Sequence, residues 1–261
     1  MSKIQALLFD LDGTLVDTEE LHRQAFNAAF LEFHLDWQWD VDLYMQLLTI
    51  SGGVDRISRY VDLVDLPAGE KTHLRRLIPA IHREKSRNYG RLLASNTPRL
   101  RPGVESLIEQ ARAAGLKIGV AASSGSANVQ SVLSATFARR SSPTFDSVVC
   151  ADQVARRKPA PDIYELLLTL LGVRASVSVA FEDSAQGIAS AQAAGLFVVA
   201  APTRWTESQH LAAADLLLSD LSDLEKLSRG GPAAVVGEAL GTGLEHLELV
   251  FSSPMKLHWT A

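Results

Sequence analysis

The sequence has little cysteine, no excess of positive charge and no long apolar run, and each shortage excludes a class of protein. Cys150 is the single cysteine among the 261 residues, which rules out an internal disulfide and predicts a cytoplasmic protein. The net charge of −5 gives no reason to expect a nucleic-acid partner. No apolar stretch approaches the length of a membrane span. An apolar strand pattern follows Met1 almost at once, so we expect neither a secretory signal nor a membrane contact.

The first distinct feature of the chain is the apolar run at residues 4–9, which ends in Asp10 and Asp12. The run predicts a strand that is buried on both faces. Alternate residues of an extended chain point to the same side, so the two carboxylates would repel each other unless a cation or a shared proton relieves them. The pair indicates either a Mg²⁺ site with a proton-transferring acid or surface acids that lead into a loop. The buried strand before it and Gly13-Thr14 after it favour the first interpretation.

The pattern of the next eighty residues is helical. From Asp17 to about Ala94, apolar residues recur at helical spacing and no strand pattern appears. Breaks at residues 51–53 and 66–69 predict that this insert consists of several short helices.

Short apolar runs and amphipathic helices alternate after residue 103. Strands are predicted at residues 116–121, 145–150, 177–181, 196–200 and 215–218, with a helix between each pair, such as 104–114, 162–171 and 186–194. This alternation predicts an α/β fold with a doubly wound parallel sheet. We expect a core formed by residues 1–16 and 98–228, a helical domain at 17–97, and a C-terminal extension of unknown role without a strand at 229–261.

Three further polar clusters follow predicted strands. Ser123 and Ser124 offer hydroxyls and amides to an anion, although serines are also ordinary loop and helix-cap residues. Lys158 precedes a proline that restricts it to an extended backbone, which makes it a better phosphate partner than an ordinary surface lysine. Glu182 and Asp183 supply the oxygen ligands that Mg²⁺ prefers. Parallel strands end at one edge of a sheet, so the clusters are expected to meet there.

As a set, these residues resemble the four motifs of the haloacid dehalogenase superfamily, with the helical insert in the position of its cap. The motifs are Asp10-Leu11-Asp12-Gly13-Thr14, the serine-rich turn at residues 122–126, Lys158-Pro159 and Glu182-Asp183-Ser184. The resemblance implies a Rossmann-like core in which Asp10 attacks phosphorus and forms an aspartyl-phosphate, while Asp12 acts as general acid and base. Lys158 would neutralise charge on the phosphoryl group. Mg²⁺ would be held by Asp10, the backbone carbonyl of Asp12 and Asp183, with Glu182 nearby.

Within the superfamily the chain is most similar to the CbbY-type phosphatases, which act on xylulose 1,5-bisphosphate, an inhibitor of Rubisco. The stretches that carry this resemblance are residues 18–23, 36–40, 52–56, 81–85 and 158–164. It implies a monomeric sugar-bisphosphate phosphatase whose second phosphate pairs with the guanidinium of Arg56. The implied substrate-binding residues are Thr14, Glu19, His22, Gly53, Arg56, Lys85, Ser123 and Ser124.

Two positions depart from the pattern of these relatives, and two other functions stay open. Ala122 stands where the second motif has a hydroxyl residue, so Ser123 and Ser124 are expected to bind phosphate through amides or a shifted hydroxyl. Val54 stands where these relatives often carry lysine. One rival is a β-phosphoglucomutase-like enzyme, which returns the phosphoryl group to a sugar. The other is a non-catalytic phosphosugar-binding protein, against which the full acidic and basic set argues.

Overall fold

The computed structural model describes residues 4–137, 144–225, 242–252 and 257–258. In these ranges the elements are, in chain order, β1 (Ala6–Phe9), α1 (Glu19–Glu32), α2 (Val41–Leu47), α3 (Gly53–Leu63), α4 (Ala68–Ser95), α5 (Val104–Ala113), β2 (Lys117–Ala122), α6 (Ser126–Phe137), β3 (Ser147–Cys150), α7 (Asp162–Leu171), β4 (Ser178–Glu182), α8 (Ala185–Ala193), β5 (Phe197–Ala200), β6 (Leu216–Leu217), α9 (Gly243–Phe251) and β7 (Leu257–His258).

The strands form one sheet in the order β3-β2-β1-β4-β5-β6-β7. Every neighbouring pair is parallel, which confirms the predicted α/β fold with a parallel sheet. β1 lies between β2 and β4, with Phe9 beside Val120 on one side and Phe181 on the other. The loops that follow β1, β2 and β4 therefore leave the sheet side by side at one edge.

Successive residues of β1 pack into two different hydrophobic layers. Leu7 and Phe9 join the cluster that contains residues of α5, α6 and α9, whereas Ala6 and Leu8 join the cluster that contains residues of α7 and α8. Because side chains alternate across a strand, β1 is buried on both faces. This burial holds the residue after the strand in a fixed position.

Helices α1 to α4 share a separate aromatic core, and we call these helices with their connections the cap. Phe26, Phe30 and Trp39 are fully buried in it, and Trp205 from the loop after β5 is packed with them. No strand is found between residues 19 and 95, as predicted. The prediction of several short helices is wrong for α4, which runs for 28 residues because buried side chains at helical spacing continue past Pro79.

Two other expectations are also wrong. No helix separates β5 from β6; the residues between them form turns, which place Trp205 against the cap. The C-terminal extension contains α9 and the strand β7, which pairs with β6 in the register Leu216 to Leu257. Its residues 229–241 lie outside the described ranges, and the predicted domain boundaries stay a prediction.

In the described part of the chain, no helix combines the length and the apolar character that crossing a membrane requires.

Candidate active site

Lys158 links two of the acidic clusters at the carboxyl edge of the sheet. Its ammonium donates hydrogen bonds to Asp10 Oδ1 at 2.7 Å, to Glu182 Oε1 at 2.6 Å and to the carbonyl oxygen of Ala121 at 2.9 Å. Burial alone would lower the pKa of Lys158, but Asp10 and Glu182 outweigh that effect and raise it above its usual range. Lys158 is therefore a permanently charged partner of both carboxylates.

Asp10 directly follows β1 and is 6% exposed. Burial, with a smaller contribution from Glu182, raises the pKa of Asp10 to about 8, although Lys158 acts in the opposite direction. A further cation beside Asp10 would favour its ionised form, the form in which a carboxylate is a nucleophile.

Glu182 ends β4 and is held by two donors. Besides Lys158, the hydroxyl of Tyr164 donates to Glu182 Oε1 at 2.5 Å. A Cβ atom on Gly187 would lie 1.8 Å from Glu182 Oε2, so only glycine fits at the start of α8. Within the described residues, Glu182 Oε2 is buried and has no hydrogen-bond partner, which leaves one carboxylate oxygen free for a ligand.

Asp183 completes a triad of buried carboxylates. One oxygen each of Asp10, Glu182 and Asp183 lie within 4.8 Å of one another. Burial, followed by the charges of Asp10 and Glu182, raises the pKa of Asp183 well above its usual value. Gly13, at a φ of 89°, lies so close that a Cβ atom there would be 2.3 Å from Asp183 Oδ2. A divalent cation would relieve the repulsion among the three carboxylates, and the oxygen donor set fits Mg²⁺.

Asp12 takes no part in that triad, because its side chain faces the cap. It accepts hydrogen bonds from Thr18 Oγ1 at 2.5 Å and Ser124 Oγ at 2.9 Å, and His22 Nε2 lies 3.3 Å away. Burial would raise the pKa of Asp12, but His22 and the two hydroxyl donors lower it below its usual range. Ser124, two residues after Ala122, thus directs its hydroxyl at Asp12.

His22 of α1 and Lys85 of α4 extend this arrangement into the cap. Lys85 Nζ lies 2.6 Å from His22 Nδ1, and the imidazole stacks on Tyr89 with ring centroids 4.0 Å apart. Burial, followed by the charge of Arg56, lowers the pKa of Lys85 to about 7. Burial and Lys85 also lower the pKa of His22. Both groups would therefore respond to an anion placed beside them.

Arg56 of α3 is fixed by acceptors inside the cap. Its guanidinium donates to Leu47 O, Ile50 O and Tyr44 Oη, each at 3.2 Å. Tyr44 in turn donates to Glu19 at 2.8 Å. A planar guanidinium held in this way keeps donors for an anion without losing its own position.

A cavity of about 280 Å³ lies between this part of the cap and the edge of the sheet. The predicted site residues that line it are Asp10, Asp12, Glu19, His22, Gly53, Arg56, Lys85, Ser123, Ser124, Lys158 and Asp183. Glu182 lies behind Lys158 and outside the lining. Thr14 is not brought to the cavity: it is 1% exposed, and within the described residues its hydroxyl has no partner.

Three residues of the site were not predicted from the sequence. Thr18 orients Asp12, Tyr164 holds Glu182, and Thr206 Oγ1 donates to Asp183 at 3.2 Å. Thr18 and Tyr164 lie in stretches that carry the resemblance to CbbY-type phosphatases, which is the signal that could have identified them. Thr206 lies in the turns after β5, and no sequence pattern marks it.

Comparisons with known proteins agree with this geometry. Residues 4–195 match the haloacid dehalogenase-like hydrolase family. Protein CbbY of Rhodobacter capsulatus is 41% identical over 221 residues, which are 84% of this chain and 95% of that protein. A crystal structure of an aspartate-to-asparagine variant of CbbY from Rhodobacter sphaeroides, in complex with xylulose 1,5-bisphosphate, has a TM-score of 0.77 at 40% identity and covers 85% of this chain and 96% of that one.

A more distant relative belongs to the rival class of enzyme. The β-phosphoglucomutase of Bacillus subtilis is 29% identical over 85% of this chain and 92% of its own length. The family match covers most of the chain, and the identity to CbbY proteins extends over nearly their full length. Both findings assign the chain to the same family. The chain belongs to the haloacid dehalogenase-like hydrolases and, within them, to the family of the CbbY proteins.

Proposed function

We propose that this protein is a Mg²⁺-dependent phosphatase that removes a phosphate from xylulose 1,5-bisphosphate through an aspartyl-phosphate on Asp10. The observation that carries the proposal is the meeting of Asp10, Asp183 and Lys158 at the floor of a cavity that has cationic groups on its cap side, with Glu182 hydrogen-bonded to Lys158. The complex of the related CbbY with this bisphosphate supports the choice of substrate.

Asp10 and Lys158 would carry out the first step together. The carboxylate of Asp10 attacks the phosphorus atom, and the sugar oxygen leaves. Lys158 stays 2.7 Å from Asp10 and offsets the negative charge that builds up on the transferring group. Mg²⁺ would be held by Asp10, Asp183 and the backbone carbonyl of Asp12, with Glu182 nearby, and would supply further charge neutralisation.

Asp12 would move the proton. In the free protein His22 and the hydroxyls of Thr18 and Ser124 favour its ionised form. A phosphate dianion beside Asp12 raises its pKa by like-charge repulsion, so the carboxyl takes up a proton that it then gives to the leaving oxygen. The carboxylate that remains accepts a proton from the water that hydrolyses the aspartyl-phosphate.

The cap would select the sugar. Arg56 is held in place by three acceptors and lines the cavity, so it is available to the phosphate that does not react. Lys85 and His22 lie between that region and Asp12, where the sugar would bind.

Measurements of phosphate release with Mg²⁺ and with EDTA test the proposal. The substrates are xylulose 1,5-bisphosphate, pentose and hexose monophosphates, and hexose bisphosphates. We expect the highest kcat/KM for the ketopentose bisphosphate and no release in EDTA. Equal or better turnover of monophosphates, or full activity in EDTA, would contradict it. Conversion of β-glucose 1-phosphate to glucose 6-phosphate in the presence of a trace of bisphosphate would support the mutase instead.

A further inference from the structure

Arg157 lies next to Lys158 in the chain, yet its side chain contacts the cap. Lys158 contacts Asp10 and Glu182 at the sheet edge. Arg157 Nη1 lies 3.6 Å from Asp55 Oδ2, in the first turn of α3, and Arg157 lines the same cavity. Two adjacent basic residues of one loop therefore contact two different sides of the cavity: Lys158 contacts the core side and Arg157 contacts the cap side.

The cap leaves space for the guanidinium of Arg157. Gly52, the residue before α3, has a φ of 86°, and a Cβ atom there would lie 2.3 Å from Arg157 Nη1. The backbone conformation favours glycine here, and the guanidinium of Arg157 occupies the space beside it. Arg157 therefore lies against the turn that leads to Arg56.

The ion pair of Arg157 is weak enough to be exchanged. The side chains are 40% exposed for Arg157 and 61% exposed for Asp55, and at 3.6 Å the contact is longer than a hydrogen bond. Asp152, another carboxylate of the cavity lining, already accepts hydrogen bonds from the hydroxyl and the amide of Ser126. A phosphate would offer Arg157 a bidentate partner of higher charge.

The positive charge of this region comes from the arginines. Burial, followed by the charges of Lys85 and Arg157, lowers the pKa of His82 to about 4, so its imidazole is neutral near pH 7. Arg56 and Arg157 are the permanent cations among the residues that line this cap side of the cavity.

We propose that Arg157 is a specificity-determining residue that binds the non-reacting phosphate of the substrate together with Arg56 and leaves Asp55 to do so. The inference rests on the proposed function for its premise that the substrate carries two phosphates. A second reading, in which the Arg157–Asp55 pair only fastens the cap to the core, predicts different behaviour of Asp55.

Arg157→Gln, Asp55→Asn and the control Arg156→Gln separate the two readings. Arg156 is the adjacent arginine, is 69% exposed and pairs with Asp162, away from the cavity lining. We expect Arg157→Gln to raise KM for the bisphosphate roughly 10- to 100-fold and to change kcat/KM for a sugar monophosphate less than about threefold. Asp55→Asn should leave the bisphosphate KM unchanged or lower it, and Arg156→Gln should match the wild type.

The inference would be overturned if Arg157→Gln lowered kcat/KM equally for both substrates or did not lower it at all. It would also be overturned if Asp55→Asn raised KM as much as Arg157→Gln does. A wild type that releases no phosphate would instead overturn the proposed function. In that case, calorimetric titration of the wild type and of Arg157→Gln with xylulose 1,5-bisphosphate still decides the point. Weaker binding by at least tenfold in the variant supports the role of Arg157, whereas equal binding or absence of binding in both proteins rejects it.

Discussion

The core and the cap each bury one lysine at the cavity, and the two lysines differ in charge. Lys158 and Lys85 are 5% and 4% exposed, so burial penalises their charged forms to a similar degree. Lys158 faces the carboxylates of Asp10 and Glu182, and its pKa is raised. Lys85 faces the cation of Arg56, and its pKa is lowered to about 7. Neighbouring charges, not burial, decide which lysine is charged.

This difference assigns the two sides of the cavity different tasks. On the core side Lys158 already pairs with carboxylates, and a metal cation is the one further charge that these carboxylates need. The geometry of the core side is therefore formed before the substrate binds. The cap side brings Lys85 and Arg56 together without a carboxylate in an ion pair with either, within the described ranges. An anionic substrate would supply the missing negative charge and so stabilise the cap side. Substrate recognition by the cap therefore depends on the binding of an anion.

The largest effect is expected from Asp10→Asn. An amide is a poor nucleophile and a weaker metal ligand, so kcat should fall by a factor on the order of 10⁴ or more. The fold should remain, because Lys158 keeps Glu182 and Ala121 as acceptors. Phosphate release and circular dichroism measure the two properties. A variant with near wild-type turnover would remove Asp10 from the reaction.

The pair of variants Lys158→Met and Lys85→Met tests the comparison of the two lysines directly. Lys158→Met leaves buried carboxylates without their cation and should lower the free energy of unfolding by about 3–5 kcal/mol without Mg²⁺. Lys85→Met removes a group whose charged form is disfavoured in the folded protein, so the free energy of unfolding should stay the same or rise. Urea unfolding at pH 7 measures both. Equal destabilisation by the two substitutions would refute the comparison.

Arg56→Ala should raise KM for a bisphosphate by roughly 10- to 100-fold, and it should raise KM for a monophosphate far less. The variant also leaves Leu47 O and Ile50 O without their donor, so a lower melting temperature is expected. Kinetics therefore have to be measured below the melting transition of the variant. Equal effects on the two substrate classes would place Arg56 outside the phosphate site.

The wild type and Lys85→Met should also differ in how their stability depends on pH. The pKa of Lys85 is about 7 in the folded protein and has its ordinary, higher value in the unfolded chain. Between these values the unfolded state binds the additional proton, so the stability of the wild type rises with pH relative to the variant. The slope should reach at most about 1.4 kcal/mol per pH unit between roughly pH 7 and 10. A flat difference would contradict the lowered pKa.

The core side of the site was predictable because its residues are tied to strands. Asp10, Ser124 and Asp183 follow apolar runs that form parallel strands, and Lys158 follows another, so a local pattern was enough to predict that they meet. Ser124 was expected to bind phosphate, which stays a prediction, and its hydrogen bond to Asp12 was not anticipated. Strand ends are fixed by the sheet, and the sheet is readable from apolar periodicity.

The cap side was less predictable because it depends on how helices pack. Nothing local to Arg157 indicates that its guanidinium reaches Gly52, and nothing in the turns after β5 indicates that Thr206 meets Asp183. The strand β7 was missed for a similar reason: a two-residue strand at a sheet edge has too few residues to show a pattern. Contacts between distant segments leave little trace in a single sequence.

Trapping the intermediate tests whether Asp10 attacks phosphorus at the point where the strand ends meet. The protein is mixed with xylulose 1,5-bisphosphate and Mg²⁺, quenched with acid within milliseconds and analysed by peptide mass spectrometry. We expect a phosphoryl group on Asp10 in the wild type and none in Asp10→Asn. Turnover that proceeds with a phosphoryl group on another residue, or with no modified peptide at any quench time, would contradict it.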